Sequence, residues 1–117
     1  MSCLFNSMSY FFKEDSQVIR NKICDYLQEN KPIIDGLDTK FILSMENSNY
    51  INNMRNSSSW GGAIEIQAAC NIWNTKITVI NIRNLNKKNI EFLPVKGNTN
   101  NNISVTWSGG HYEPIKN

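Results

Sequence analysis

Two residues in this chain are equipped for nucleophilic chemistry, and they stand at opposite ends of it. They are Cys3 and His111, the latter the single histidine among 117 residues. A thiol attacks as the thiolate, and the unpaired amides and dipole at a helix N-terminus favour that form. A neighbouring imidazole takes the thiol proton and later delivers it to a leaving amine. Distance along the sequence is no obstacle, because a helix-borne cysteine and a strand-borne histidine can meet in the fold. Glu113 follows His111 by two residues. On a strand, positions i and i+2 share a face, so Glu113 can fix the imidazole tautomer and stabilise its charged form while Tyr112 turns into the core. Each residue also has an ordinary reading: Cys3 as a small apolar group near a chain end, His111 as an exposed turn residue, Glu113 as a solvated strand carboxylate.

The elements that must position these groups can be read from periodicity. Cys3 to Phe12 reads as a short apolar helix with the cysteine at its N-terminal end. A second helix is expected over Ser16 to Asn30, capped by Ser16, with Val18, Ile19, Ile23, Tyr26 and Leu27 at helical spacing. Pro32 and Gly36 interrupt regular structure, and Leu37 to Met54 reads as short helical pieces, one around Tyr50 to Met54. A Ser57–Ser59 loop and Trp60-Gly61-Gly62 then lead into a helix from Ala63 to Trp73. Its buried stripe is expected at Ile64, Ala68 and Ile72, flanked by Ile66 and Ala69, with Glu65 complementing the helix dipole. Cys24 and Cys70 fall on apolar helical faces and read as structural.

Past that helix the period changes to two. Strands are expected at Lys76–Ile82, Ile90–Leu93, Ile103–Trp107 and His111–Ile115, with Lys87-Lys88 at a solvated hairpin tip, a polar loop over Pro94–Asn102 and a Gly109-Gly110 turn before the histidine. Helices first and strands after define an α+β fold, with the helices packed on a small antiparallel-rich sheet. No internal repeat or linker divides the chain, so residues 1–117 read as one domain.

Composition narrows the function classes. With 40% hydrophobic and 19% charged residues, the chain has the makeup of a folded domain. A net charge of +2 does not announce a nucleic-acid or membrane partner. No window reaches the roughly 20 apolar residues of a membrane span, and Met1 to Phe12 lacks the basic start and cleavage site of a signal peptide. Three widely spaced cysteines fit no zinc pattern and suggest free thiols in a reducing compartment. The expectation is a monomeric cytoplasmic protein, in a host cytosol if the source is viral or bacterial.

The run Cys3-Leu4-Phe5-Asn6-Ser7-Met8-Ser9 resembles the nucleophile segment of OTU-family (ovarian tumour) cysteine proteases. Ile19-Arg20 resembles that family's next helix. Tyr50-Ile51-Asn52-Asn53-Met54 with Trp60-Gly61-Gly62-Ala63-Ile64-Glu65-Ile66-Gln67-Ala68-Ala69 is similar to its central signature, and His111-Tyr112-Glu113-Pro114-Ile115 to its closing strand. The motifs occur in the family's order and span nearly the whole chain. The resemblance implies a papain-like OTU-type fold and a thiol-dependent isopeptidase that removes ubiquitin or a ubiquitin-like modifier. Cys3 would attack the isopeptide carbonyl, His111 would be the base, and Glu113 would orient it. Trp60, Gly61 and Gly62 would help wall a narrow channel for a Gly-Gly tail, and neither metal nor cofactor would be needed.

Two departures qualify the match. The family's Asp-Gly-x-Cys is here Met1-Ser2-Cys3, so one expectation is a domain shortened at its amino end. The supporting loop of the oxyanion hole would then be missing, and one lost donor costs about 10²–10³ in rate. Glu113 also stands where the family more often has Asp or Asn. The alternative expectation is therefore a catalytically weak or inactive ubiquitin-binding module. A papain-like peptidase acting on ordinary peptides is a third.

Overall fold

The computed structural model describes residues 3–84, 86, 88–97 and 99–116. Helix α1 (Cys3–Phe12) buries Leu4, Phe5, Ser7 and Met8, one face of two turns. Helix α2 (Ser16–Gln28) starts where expected but is capped by Asp15, whose carboxylate accepts from the Gln17 amide at 3.0 Å. Ser16 is already inside the first turn. A carboxylate cap also answers the helix dipole, which a serine hydroxyl does less well. The helix ends two residues before the expected Asn30, which takes a left-handed φ of 57° and terminates it. Helices α3 (Thr39–Glu46) and α4 (Tyr50–Met54) are the short pieces expected in the ambiguous stretch.

Helix α5 (Ala63–Trp73) has the expected bounds but a different inner face. Its buried residues are Glu65, Ile66, Ala68, Ala69 and Cys70, while Ile64 and Ile72 are half-buried. The helix is wedged between α2 and the sheet, so its inner arc is wider than one stripe and is centred on small residues. Two adjacent alanines allow that close approach.

The sheet has the order β2-β1-β3-β4, from β1 (Thr75–Asn81), β2 (Ile90–Phe92), β3 (Asn101–Trp107) and β4 (Tyr112–Pro114). β1 pairs antiparallel with β2 and β3 antiparallel with β4, but the central pair, β1 with β3, is parallel from Thr75–Asn101 to Asn81–Trp107. The α+β class holds, and the sheet is mixed. β2 ends beside Ile77, near the start of β1. The following segment crosses below β1, where the Thr99 hydroxyl and the Asn101 amide donate to the Asn74 carbonyl. β3 therefore starts beside Thr75 and runs the same way as β1. Ile77, Val79 and Val105 belong to the same buried cluster as Phe5, Ile23, Leu27 and Ile66. The expected Lys87 hairpin tip lies outside the described residues, and so do Met1 and Ser2.

Candidate active site

An open groove of about 780 Å³ runs between α1 and β4. Cys3, Asn6 and Ser7 line it from α1, Trp60 from the loop before α5, and Gly110 to Pro114 with Lys116 from the last strand. Cys3 occupies the first turn of α1 and is half-buried. The Ser7 hydroxyl donates to its carbonyl at 2.9 Å and braces that turn. The chain's other thiols are out of reach: Cys24 and Cys70 are fully buried, and burial pushes them up to about 11 and about 12. Cys3 is thus the one cysteine placed to react.

His111 sits one residue before β4, on the turn made by Gly109 and Gly110. Gly109 has φ +110°, a left-handed value that side chains rarely adopt. The Ser108 amide donates to the His111 carbonyl at 3.1 Å and closes the turn. The imidazole Nε2 lies 3.1 Å from Glu113 Oε1. With Nε2 engaged by a carboxylate, Nδ1 is the nitrogen left for a thiol. Both side chains stand well out in solvent, 57% and 67% exposed. Tyr112 is half-buried against the core, and desolvation leads in raising its pKa.

Trp60 is 52% exposed and leans over the histidine turn. A Cβ on Gly110 would lie 3.3 and 3.4 Å from two carbons of the indole. The neighbouring glycines do not line the groove. Gly61 faces the core, where a Cβ would come within 2.7 Å of Leu4 Cδ2 and 3.0 Å of the Phe5 ring. Gly62 caps α5: its amide donates to Glu65 Oε1 at 2.8 Å. Glu65 is 1% exposed, and its Oε2 accepts from the Tyr50 hydroxyl at 2.6 Å. Burial raises its carboxyl pKa while the hydrogen bonds from Tyr50 and Gly62 oppose the rise. The dipole role expected for Glu65 is thereby extended to a buried network.

Some groove residues went unassigned in the sequence. Asn6 could have been found, because it lies three residues after Cys3 on the same helical side. Lys116 carried no signal. Among the described residues, no cluster of three His, Cys, Asp or Glu side chains is arranged to hold a metal ion.

A thiol at a helix N-terminus, an imidazole with one nitrogen free and a carboxylate on the other are the parts of a cysteine-type hydrolase. The chain belongs to the OTU-like cysteine protease family, whose model matches residues 2–112. It is 36% identical over 92 residues to the ubiquitin thioesterase otu2 of Schizosaccharomyces pombe, covering 68% of this chain and 29% of that protein. It is 26% identical to the ubiquitin thioesterase OTU1 of Drosophila pseudoobscura pseudoobscura, over 97% of this chain and 31% of that one. The chain therefore spans about three tenths of the length of these curated relatives. A solved ovarian tumour (OTU) domain in complex with ubiquitin is similar over 97% of this chain and 62% of its own, at 28% identity and a TM-score of 0.76.

Proposed function

We propose that this domain is a cysteine-type deubiquitinase in which Cys3 is the nucleophile, His111 the general acid and base, and Glu113 the residue that orients the imidazole. The observation that carries the reading is that all three line one solvent-open groove, with Glu113 on Nε2 of the imidazole. The two thioesterases and the ubiquitin-bound domain described above support ubiquitin as the modifier.

In the reaction, His111 Nδ1 takes the Cys3 proton, and the thiolate adds to the carbonyl carbon of the isopeptide bond. Collapse of the tetrahedral intermediate breaks the C–N bond, and the imidazolium protonates the departing lysine amine. A water molecule, deprotonated by the now neutral imidazole, attacks the thioester and releases the carboxylate, and the proton returns to the thiol. First-turn amides of α1 lack intrahelical acceptors and are available to the developing oxyanion. Trp60 over Gly110 narrows the approach to His111, which suits a modifier tail that ends in glycine.

Ubiquitin carrying a C-terminal electrophile tests this directly. Wild-type protein, Cys24→Ala and Cys70→Ala should each form one covalent adduct, and Cys3→Ala none. Labelling of Cys3→Ala, or none of the wild type, would overturn the assignment. Saturable ubiquitin binding without capture would replace it with a binding module.

A further inference from the structure

We infer that Arg20 is a positioning residue for the groove: its guanidinium, acting with Glu65, pins the chain on both sides of Trp60 and holds the indole as a rigid wall beside His111. The inference rests on the proposed reading of the groove, and it names the part of the fold that shapes its entrance.

Arg20 is fully buried in α2, which is rare for an arginine. Its charge is met by main-chain oxygens of one segment. Nη1 donates to the Met54 carbonyl at 2.8 Å, and Nη2 to the Ser59 carbonyl at 3.0 Å and the Ser57 carbonyl at 3.4 Å. A planar fork with fixed donors suits several carbonyls at once in a way a single ammonium does not. The guanidinium also stacks 4.1 Å from the centre of the Phe5 ring, on the helix that carries Cys3. The arginine thereby ties the nucleophile helix, α2 and the Met54–Ser59 turn into one block.

The far side of Trp60 is held as firmly. Gly61 is pressed onto Leu4 and Phe5, and the Gly62 amide is taken by Glu65, itself fixed by Tyr50. Within the turn, the Ser59 hydroxyl donates to the Asn53 carbonyl at 2.6 Å, and the Ser59 amide to the Asn56 carbonyl at 3.0 Å. Residue 60 is thus an exposed aromatic between two anchored neighbours, and its ring abuts Gly110. A side chain needed only for packing would be expected to fold inward. This one is held outward over the turn that presents the histidine.

The test follows the indole itself. Fluorotryptophan incorporation gives ¹⁹F resonances for Trp60, Trp73 and Trp107, and Trp60→Phe assigns the first. In Arg20→Lys, the Trp60 resonance should shift or sharpen while those of Trp73 and Trp107 stay put. For a fluorogenic ubiquitin C-terminal conjugate, KM should rise about tenfold with kcat within about threefold, because a wall contact acts on binding more than on chemistry. Alkylation of Cys3 by iodoacetamide should keep its rate. An unmoved Trp60 resonance in the folded variant, or equal disturbance of all three, overturns the inference. If Arg20→Lys does not fold, the wild-type spectrum decides. A Trp60 line as broad as that of Trp73, which stacks on Phe12, supports a held ring; a line as sharp as free tryptophan overturns it. If the wild type turns over no conjugate, the functional reading fails, and the fluorine comparison still judges the tether.

Discussion

Gly61 and Gly62 are adjacent and identical, yet replacing each with alanine should have very different results. At Gly61 the new methyl would sit 2.7 Å from Leu4 Cδ2 and 3.0 Å from the Phe5 ring. Ordinary contact begins near 3.5 Å, so something must move by about 0.5–1 Å. Leu4 and Phe5 are 1% and 0% exposed and belong to the buried core cluster. Overpacking of this kind costs about 1–3 kcal/mol. The displacement falls on the first turn of α1, next to Cys3, where a misplacement of about 1 Å can cost about 10²-fold in rate. At Gly62 a methyl would meet nothing within 4 Å, and the backbone at φ −150° is open to any residue. The Glu65 cap uses the main-chain amide and survives, so Gly62→Ala should lose only the N-cap preference, under about 1 kcal/mol. Urea denaturation and kcat/KM on a ubiquitin C-terminal conjugate read both quantities. Gly61→Ala should lose about 10–100-fold in kcat/KM, and Gly62→Ala less than about threefold. Equal losses for the two, or an unaffected Gly61→Ala, would refute the argument that Gly61 is the spacer between α1 and the Trp60 loop.

The remaining expectations concern charge. His111 and Glu113 are more than half exposed, and such pairs contribute about 0.2–1 kcal/mol. Glu113→Gln should therefore reduce kcat/KM only about two- to fivefold, and the difference should shrink near 1 M salt, where screening acts over about 3 Å. A loss above a hundredfold would show that substrate buries the pair. Cys24 and Cys70 are kept neutral by burial, so they contribute stability that is fully present below the ordinary thiol value of 9.0 and is lost as pH rises toward about 11 and about 12. At about pH 10 each thiol should account for a fall of roughly 1 kcal/mol relative to neutral pH. Tyr26, Tyr50 and Tyr112 are raised too and act in the same direction. Urea midpoints of the wild type against a Cys24→Ala, Cys70→Ala double variant isolate the thiols; parallel pH profiles would show that the thiols do not titrate on unfolding.

Much of the architecture was legible because it is local. Helices α1 and α5 and strand β1 follow from apolar spacing and β-branched runs, and the helix-then-strand order sets the class. What stayed hidden depends on long-range partners. The parallel pairing of β1 and β3 is decided by a crossing segment tied to the Asn74 carbonyl, and carbonyls leave no mark in a sequence. The inner face of α5 is set by α2 and the sheet together, not by its own stripe. Arg20 shares a buried helical face with Cys24 and Leu27, but a lone cation reads as solvated until its main-chain acceptors are seen.

The candidates for the chemistry were named in the sequence by the single histidine and a cysteine at a helix start, read together with the family's motifs. Their alignment is a different matter. Cys3 rides on α1 and His111 on a glycine turn more than a hundred residues later, and two adjacent residues reach one half each. Gly61 packs against Leu4 and Phe5 beside the thiol, while Trp60 abuts Gly110 beside the imidazole. A shift of this short run moves the wall of the groove relative to the two elements that carry the thiol and the imidazole. The rigidity of the groove is therefore concentrated in the Trp60–Gly62 run and in the buried Arg20 and Glu65 that hold it, outside the three residues assigned the chemistry.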